Sequence, residues 1–296
     1  MSKTKPVRPR AIAEILTTPL KDRNEILAEG LALLLEHVQA LHLSVEALGD
    51  AADTRGRPIL QAVMGEEAAK VLIVLDVVRG GWRDQKAAAQ RLGYFSDHFV
   101  RGIYQRVTSI NPGSFGEVHR YVESLRPEFY LDGPTDADWI FRNEIESARE
   151  LAFYVDYVKE EEGHRWVTPD GGLFPSVDYP AQITADLILA MGRIGLLTVQ
   201  GLAVVADSWR DVSLADSTGF HEHFEIASLV MRQLIEQHVY GPTATDADFQ
   251  NVADKWPFPL NSLDLRKIEV TRAELDAQRA RVEEAFWANE LGPIEY

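Results

Sequence analysis

A histidine, two arginines and a tyrosine recur at helical spacing between residues 91 and 104. His98 and Arg101 are three residues apart, and Tyr104 and Arg91 fall along the same side of a helix. Histidine exchanges protons near neutral pH, and arginine binds two phosphate oxygens at once, so the set suits acid–base chemistry on a phosphate ester. A single helical histidine is more often a hydrogen-bonded structural residue, and that interpretation stays open.

Three charged residues lie inside an otherwise apolar helical segment. Glu66, Glu67 and Lys70 stand between the sequences AVM and VLIVL, and each glutamate is three or four residues from the lysine. Either spacing allows an ion pair. One interpretation is an ordinary pair on the solvent side of the helix. The other is a partly buried pair retained for a site, because charges seldom enter a core unpaired.

The sequence gives little support to metal or cofactor chemistry. Cysteine is absent, which excludes disulfides, thiolate nucleophiles and cysteine-ligated metals. Glu161 and His164 form a single Glu-x-x-His pattern at a predicted helix end, whereas a di-iron bundle needs two such patterns. His221, His223 and Glu225 cluster on one predicted helix, where a solvated polar face is the simpler interpretation. We therefore expect no metal and no cofactor.

Charge is distributed unevenly along the chain. The 296 residues carry a net charge of −16, which gives no general attraction to nucleic acid or anionic lipid. Residues 1–23 and residues 79–106 each contain six basic and two acidic side chains, a local charge of +4. The second strip predicts a place for one particular polyanion such as RNA. A solvated helix face is an equal alternative.

Apolar residues recur at three- and four-residue spacing in long stretches that clusters of Pro and Gly separate. This periodicity predicts helices, and no segment shows sustained β alternation or a fixed repeat. We expect an all-α protein with a flexible basic arm at 1–20, an antiparallel helical bundle at 21–207 and a helical C-terminal extension at 208–296. The predicted helices cover about 24–48, 58–79, 84–108, 114–125, 136–162, 181–208, 214–239, 245–255 and 271–290.

Two features bear on location. The N-terminal sequence MSKTKPVRPR has no apolar segment after its basic residues, so it does not have the pattern of a secretory signal. The most apolar stretch, 183–205, contains Asp186, Arg193 and Gln200, and such charges are costly deep in a bilayer. We predict a buried core helix there, no membrane association and a cytoplasmic protein.

Four sequence elements occur in a distinctive order. They are the first-helix sequence AEGLALLLEHVQALHLS, the sequence EEAAK that ends at Lys70, the sequence FSDH followed by Arg101, and RELAFYVDY with RWVTP downstream. Together they resemble the AbiV abortive-infection proteins of the HEPN superfamily over about residues 24–205. The residue three positions after the histidine is usually lysine in that family and is arginine here. Residues 208–296 have no counterpart in the resemblance.

The resemblance implies a HEPN-like helical bundle that forms a homodimer with a polar site at the bundle interface. It also implies a role in phage defence, in which an infected cell shuts down translation or RNA metabolism. The expected catalytic residues are Glu67, Lys70, His98 and Arg101. The expected substrate-binding residues are Arg91 and Tyr104 on the histidine helix, and Arg149 and Tyr154 in the fourth element.

Three functions are consistent with these features. The first is a defence protein that acts on translation or RNA metabolism by binding a phage or host protein. The second is a metal-independent HEPN endoribonuclease, in which His98 is the acid or base, Arg101 and Lys70 stabilise charge on the phosphate, and Glu67 orients Lys70 or His98. The third is a helical scaffold unrelated to defence. An open groove that contains His98 would favour the ribonuclease, and a sealed polar network would favour the binding protein.

Overall fold

The computed structural model describes residues 11–82, 84–131, 139–140, 143–160, 163–169 and 178–291. The chain is mostly helical, with 69% helix and 4% strand, which confirms the predicted all-α class. In chain order, a 3-10 helix at Ile12–Thr17 precedes α1 (Leu20–Asp50), α2 (Gly56–Arg79), α3 (Gln85–Tyr94), α4 (His98–Thr108), α5 (Phe115–Leu125), α6 (Glu144–Phe153), α7 (Asp178–Arg193), α8 (Val199–Trp209), α9 (Phe220–Glu236), α10 (Asp246–Lys255) and α11 (Arg272–Leu291).

The helix α2 lies at the centre of the fold. It packs against α1, α4, α7 and α8, and every residue from Val71 to Arg79 is buried. A helix that is apolar on all sides is stable in water only when neighbours surround it. The charged residues Glu66, Asp76 and Arg79 of α2 are buried and therefore face other protein segments rather than bulk solvent.

Two predicted helices are each divided in the structure. The predicted helix 84–108 is divided into α3 and α4. The backbone of Asp97 is extended, and its carboxylate accepts hydrogen bonds from the N–H groups of Phe99 and Val100, so a new helix begins there. The predicted helix 181–208 is α7 and α8, which Gly195 separates with a φ of +74°. A Cβ atom at Gly195 would lie 2.3 Å from the carbonyl oxygen of Val239, so the break requires glycine.

The predicted helix at 136–162 is confirmed only over α6, Glu144–Phe153, because Trp139–Ile140 before it forms a strand and the chain after it leaves the helix. Tyr154 is extended and ends α6, and the chain then forms β3 (Asp156–Glu160) and β4 (Gly163–Val167), an antiparallel hairpin that pairs Tyr157 with Trp166. Aromatic and β-branched residues in this segment favour strands over helices. A second small sheet pairs β1 (Tyr130–Leu131) with β2 (Trp139–Ile140).

The 3-10 helix near the N-terminus and the segment after α10 both pack onto the bundle. Of the predicted basic arm, Ile12, Ala13 and Leu16 of the 3-10 helix pack against Val77, Ala88 and Leu92. In the predicted C-terminal extension, the segment after α10 places Trp256, Phe258 and Leu260 in the same core cluster as α2. The extension therefore completes the core of the bundle.

Among the described residues, α1 is long and apolar enough to cross a membrane by length and composition alone. Its most apolar 18 residues have a mean hydropathy of 1.3, and 22% of that window is buried in the fold. The apolar stretch 183–205 lies mainly in the core, as predicted.

Candidate functional site

The carboxylate of Glu66 is the centre of a polar cluster that joins three helices. Its Oε2 accepts hydrogen bonds from Nδ1 of His98 at 2.7 Å and from Nη1 of Arg101 at 2.8 Å. Its Oε1 accepts one from Nε of Arg149 at 2.8 Å. The cluster therefore connects α2, which carries Glu66, to α4 and α6.

Two helix caps set the positions of the donors. Asp97 starts α4, which makes His98 the first residue of that helix and places Arg101 one turn later. Asn143 starts α6: its Oδ1 accepts from the N–H of Ile145, and its Nδ2 donates to the carbonyl oxygens of Leu125 and Pro127. Polar caps of this kind fix the start of a helix, and Asn143 is itself buried.

Exposure increases across the cluster from one side to the other. The side chains of Arg101 and Glu66 are 7% and 11% exposed, whereas those of Arg149 and His98 are 32% and 48% exposed. The last two line a cleft of about 50 Å³ whose wall also includes Arg106. The cluster is therefore buried at its base and open to solvent at His98.

The hydrogen-bonded charges leave a positive surplus in the cleft. Glu66 is one anion between two cations, Arg101 and Arg149. Burial lowers the pKa of the Arg101 guanidinium, and the carboxylates of Glu66 and Glu67 oppose that fall. Arg106 is paired with Glu144 at 2.9 Å. A small anion such as one phosphate group would therefore meet a local excess of positive charge.

The histidine is held in the form that a general base needs. An ionised carboxylate only accepts hydrogen bonds, so Nδ1 of His98 carries the proton that bonds to Glu66. In the neutral ring, Nε2 then has no proton and can accept one from a bound group. Because His98 is half-exposed, a ligand can reach it. The arrangement can therefore combine anion binding with proton transfer.

The predicted residues Glu67 and Lys70 form a pair of their own. The Nζ of Lys70 lies 2.5 Å from Oε1 of Glu67, and each side chain is 17% exposed. Lys70 also lies over the ring of Phe95, 5.2 Å from its centroid. His98 donates its hydrogen bond to Glu66 instead.

The predicted residues Tyr104 and Arg91 lie at a different carboxylate. The hydroxyl of Tyr104 donates to Oδ2 of Asp76 at 2.8 Å. Burial raises the pKa of Asp76, and the charge of the nearby Arg91 partly opposes that rise. The Nη1 of Arg91 lies 2.4 Å from the position that a Cβ atom on Gly80 would occupy. Tyr154, at the end of α6, is 57% exposed and contacts the ring of Phe153.

The Asp76 cluster is sealed from solvent. Its carboxylate also accepts from the N–H of Leu260 at 2.7 Å and from Nη1 of Arg79 at 3.3 Å. The guanidinium of Arg79 lies 3.9 Å from the ring centroid of Trp256, and its Nη1 donates to the carbonyl oxygen of Pro257. Burial raises the pKa of Asp76 and lowers that of Arg79 to about 10. This cluster joins α2 and α4 to the C-terminal segment.

The two weak metal-ligand patterns of the sequence do not form a cluster among the described residues. Within the ranges that the structure describes, no group of three or more His, Asp or Glu side chains could hold a metal ion. His221 and Glu225 form only an exposed pair at 3.8 Å, and His223 is buried on the same helix. Glu161 lies outside the described residues.

Sequence reasoning missed Glu66 as the centre of the site, although it noted that residue as a partner for Lys70. Glu66 and Glu67 are adjacent and chemically identical, and the periodicity of an almost wholly apolar helix does not separate them. Asp76 and Arg79 were also missed, because the periodicity of this apolar helix does not show which residues face a partner. A signal was present for Asp76, since a lone acid within VLIVLDVVR needs a buried partner.

The chain matches no model of a known protein family, no curated protein and no solved structure. The resemblance to AbiV proteins therefore stays a prediction from the sequence motifs.

Proposed function

We propose that this protein is a phage-defence effector of the AbiV type that cleaves RNA without a metal ion at the His98 cleft. One observation supports the chemistry: a half-exposed histidine, oriented by a buried glutamate, stands beside Arg149 in an open cleft, with Arg101 buried beneath. Fold resemblance alone does not establish an activity. The defence role rests on the four sequence elements, and the cytoplasm is the proposed place of action.

The proposed reaction is transfer of the phosphodiester to the ribose 2′-oxygen. Nε2 of His98 takes the 2′-hydroxyl proton as that oxygen bonds to phosphorus, and the bond to the 5′-oxygen breaks. The same proton then passes from His98 to the departing 5′-oxygen, so the products are a 2′,3′-cyclic phosphate and a 5′-hydroxyl. Arg149, in the wall of the cleft, stabilises the charge on the phosphate oxygens, Arg101 adds positive charge from beneath the cleft, and Glu66 keeps the proton of the free ring on Nδ1.

The test is incubation of the purified protein with tRNA and total RNA, beside His98→Ala. The matched control is His119→Ala, because His119 is also a half-exposed helical histidine paired with a carboxylate, Asp216, outside the cleft. We expect cleavage by the parent and by His119→Ala, and a loss of roughly 10²–10⁴-fold in His98→Ala, the usual contribution of acid–base catalysis. Products should carry cyclic phosphate ends. Cleavage that survives in His98→Ala at the parental rate would refute the proposal.

A second candidate, a non-catalytic binding protein, is favoured by the buried half of the cluster. Arg101 and Glu66 are almost inaccessible and tie α2 to α4, as expected of a network that fixes helix positions. Under this alternative, purified protein leaves RNA intact, and affinity capture from infected cells returns one phage or host protein in stoichiometric amount. The His98→Ala variant would then capture the same protein.

A further inference from the structure

The β3–β4 hairpin carries three aromatic rings on one face. The strand register pairs Tyr157 with Trp166, whose ring centroids are 5.0 Å apart, and Tyr157 also stacks on His164 at 5.6 Å. All three belong to the same face, because side chains on a strand alternate between faces. We call these three residues the aromatic face of the hairpin.

The aromatic face lies in solvent. Trp166 is 69% exposed and Tyr157 is 53% exposed. Exposed aromatic rings gain free energy when a ligand covers them, and a contiguous exposed patch of such rings is typical of an interaction site. Tyr154 and Val155, which precede the hairpin, are more than half-exposed as well and extend the apolar surface towards α6.

Contacts at the end of α6 lead from the cleft to the start of the hairpin. The guanidinium of Arg149, which bonds to Glu66, lies 4.9 Å from the ring centroid of Phe153. Phe153 in turn contacts Tyr154 at 5.9 Å, and Tyr157 follows three residues later. The exposed rings thus begin where the phosphate-binding groups end, as they would for a ligand that has both a phosphate and a flat ring.

We propose that the aromatic face is a stacking platform for unpaired bases of a single-stranded RNA whose phosphate occupies the His98 cleft. This inference rests on the proposed function and names its substrate class. Bases of a duplex already stack on one another, whereas the bases of a single strand can stack on Tyr157 and Trp166. The positive surplus of the cleft complements the phosphate, and the rings supply the affinity that a chain of charge −16 cannot obtain from general electrostatics.

Binding is measured separately from cleavage by using a fluorescein-labelled ten-nucleotide RNA whose 2′-hydroxyls are methylated. Fluorescence anisotropy compares the parent with Trp166→Ala, Tyr157→Ala and Trp166→Phe. The control is Tyr240→Ala, another exposed aromatic residue, at 41%, outside the hairpin. We expect binding to weaken roughly 5- to 150-fold in each alanine variant of the hairpin, while Trp166→Phe retains most of the affinity because it keeps a ring.

Two further readouts separate stacking from simple charge attraction. The same sequence as a duplex should bind more weakly than the single strand. The slope of log K against log salt should be shallow, about −0.7 for each phosphate neutralised, because the cleft holds one or two phosphates. Equal affinity of the parent and both alanine variants, equal binding of duplex and single strand, or no binding at all would overturn the platform.

The platform and the proposed function fail in different ways. If RNA is cleaved in a His98-dependent manner but the hairpin variants bind normally, the platform is wrong and the ribonuclease stands. If the hairpin variants lose binding but unmodified RNA is never cleaved, the platform stands and the catalytic proposal is wrong. A hairpin that captures a protein and binds no RNA overturns the platform.

Discussion

Two carboxylates on α2, ten residues apart, have opposite surroundings. Glu66 and Asp76 each accept a hydrogen bond from α4 and each lie beside arginine. Asp76 is closed over by the C-terminal segment, whose Leu260 N–H bonds to it. The Glu66 carboxylate is open to solvent on the side of His98, a hydrogen-bond donor that is half-exposed.

The difference shows that residue type alone does not make a site. Both clusters contain an acid, an arginine and a group that titrates, Tyr104 in one and His98 in the other. In the sealed cluster, burial raises the pKa of Tyr104 well above its ordinary value, and no ligand can reach it. In the open cluster His98 is half-exposed, and so a bound molecule can reach its ring.

The largest expected effect is the loss of the sealed carboxylate. Asp76→Ala leaves the Arg79 charge buried and removes the acceptor of Tyr104 and Leu260, so we expect a loss of about 3–5 kcal/mol in the free energy of unfolding. Urea unfolding at pH 7 measures it. The control Asp276→Ala removes an exposed acid that pairs with Arg272 on α11, and should cost about 1 kcal/mol or less. Equal losses in the two variants would contradict the assignment of Asp76 as structural.

The next effect concerns His223, which lies beside the sealed cluster. Burial and the charge of Arg79 lower its pKa from 6.5 to about 3, so the folded protein keeps it neutral while the unfolded chain binds a proton below pH 6.5. Stability from this residue is therefore present above pH 6.5 and is lost as the pH falls towards 3. Between pH 7 and pH 5 the loss amounts to about 2 kcal/mol.

The variant His223→Asn isolates that contribution. Asparagine does not titrate and can still donate to the carbonyl oxygen of Pro257, the partner of His223. Urea unfolding of parent and variant at pH 7 and pH 5 should show the parent losing about 2 kcal/mol more than the variant. Parallel losses in the two proteins would mean that His223 is protonated in the folded state.

The smallest change in stability is expected at the open cluster. Glu66→Gln should cost about 1 kcal/mol, because Arg149 and His98 can regain water and only Arg101 stays buried. The effect of Glu66→Gln on RNA cleavage should be larger than its effect on stability. The amide can donate to Nδ1 of His98, which moves the ring proton to Nε2 and removes the base.

Nitrogen NMR of the His98 ring detects that change directly, since it distinguishes the two neutral forms. RNA cleavage should fall together with the change of proton position. The control is Glu67→Gln, which removes the partner of Lys70 and should leave the His98 ring as in the parent. A ring with the same protonated nitrogen in parent and Glu66→Gln would show that Glu66 does not set the state of His98.

Much of the site was predictable in outline. The spacing of His98 and Arg101 placed both on one helical face, and the resemblance to AbiV proteins added Arg149, which the structure brings to the same carboxylate. The choice of Glu66 over Glu67 was not predictable. It depends on how α2 is rotated against α4 and α6, and a helix that is buried all round gives no periodic signal for that rotation.

The sequence by itself determined the helical class, because apolar spacing and caps act locally and are written in consecutive residues. It did not determine the β3–β4 hairpin, whose short strands are stabilised by cross-strand pairs such as Tyr157 with Trp166. Nor did it determine which carboxylate of α2 would stay open. Tertiary packing decided that, because the C-terminal segment covers Asp76 and leaves His98, the donor to Glu66, half-exposed.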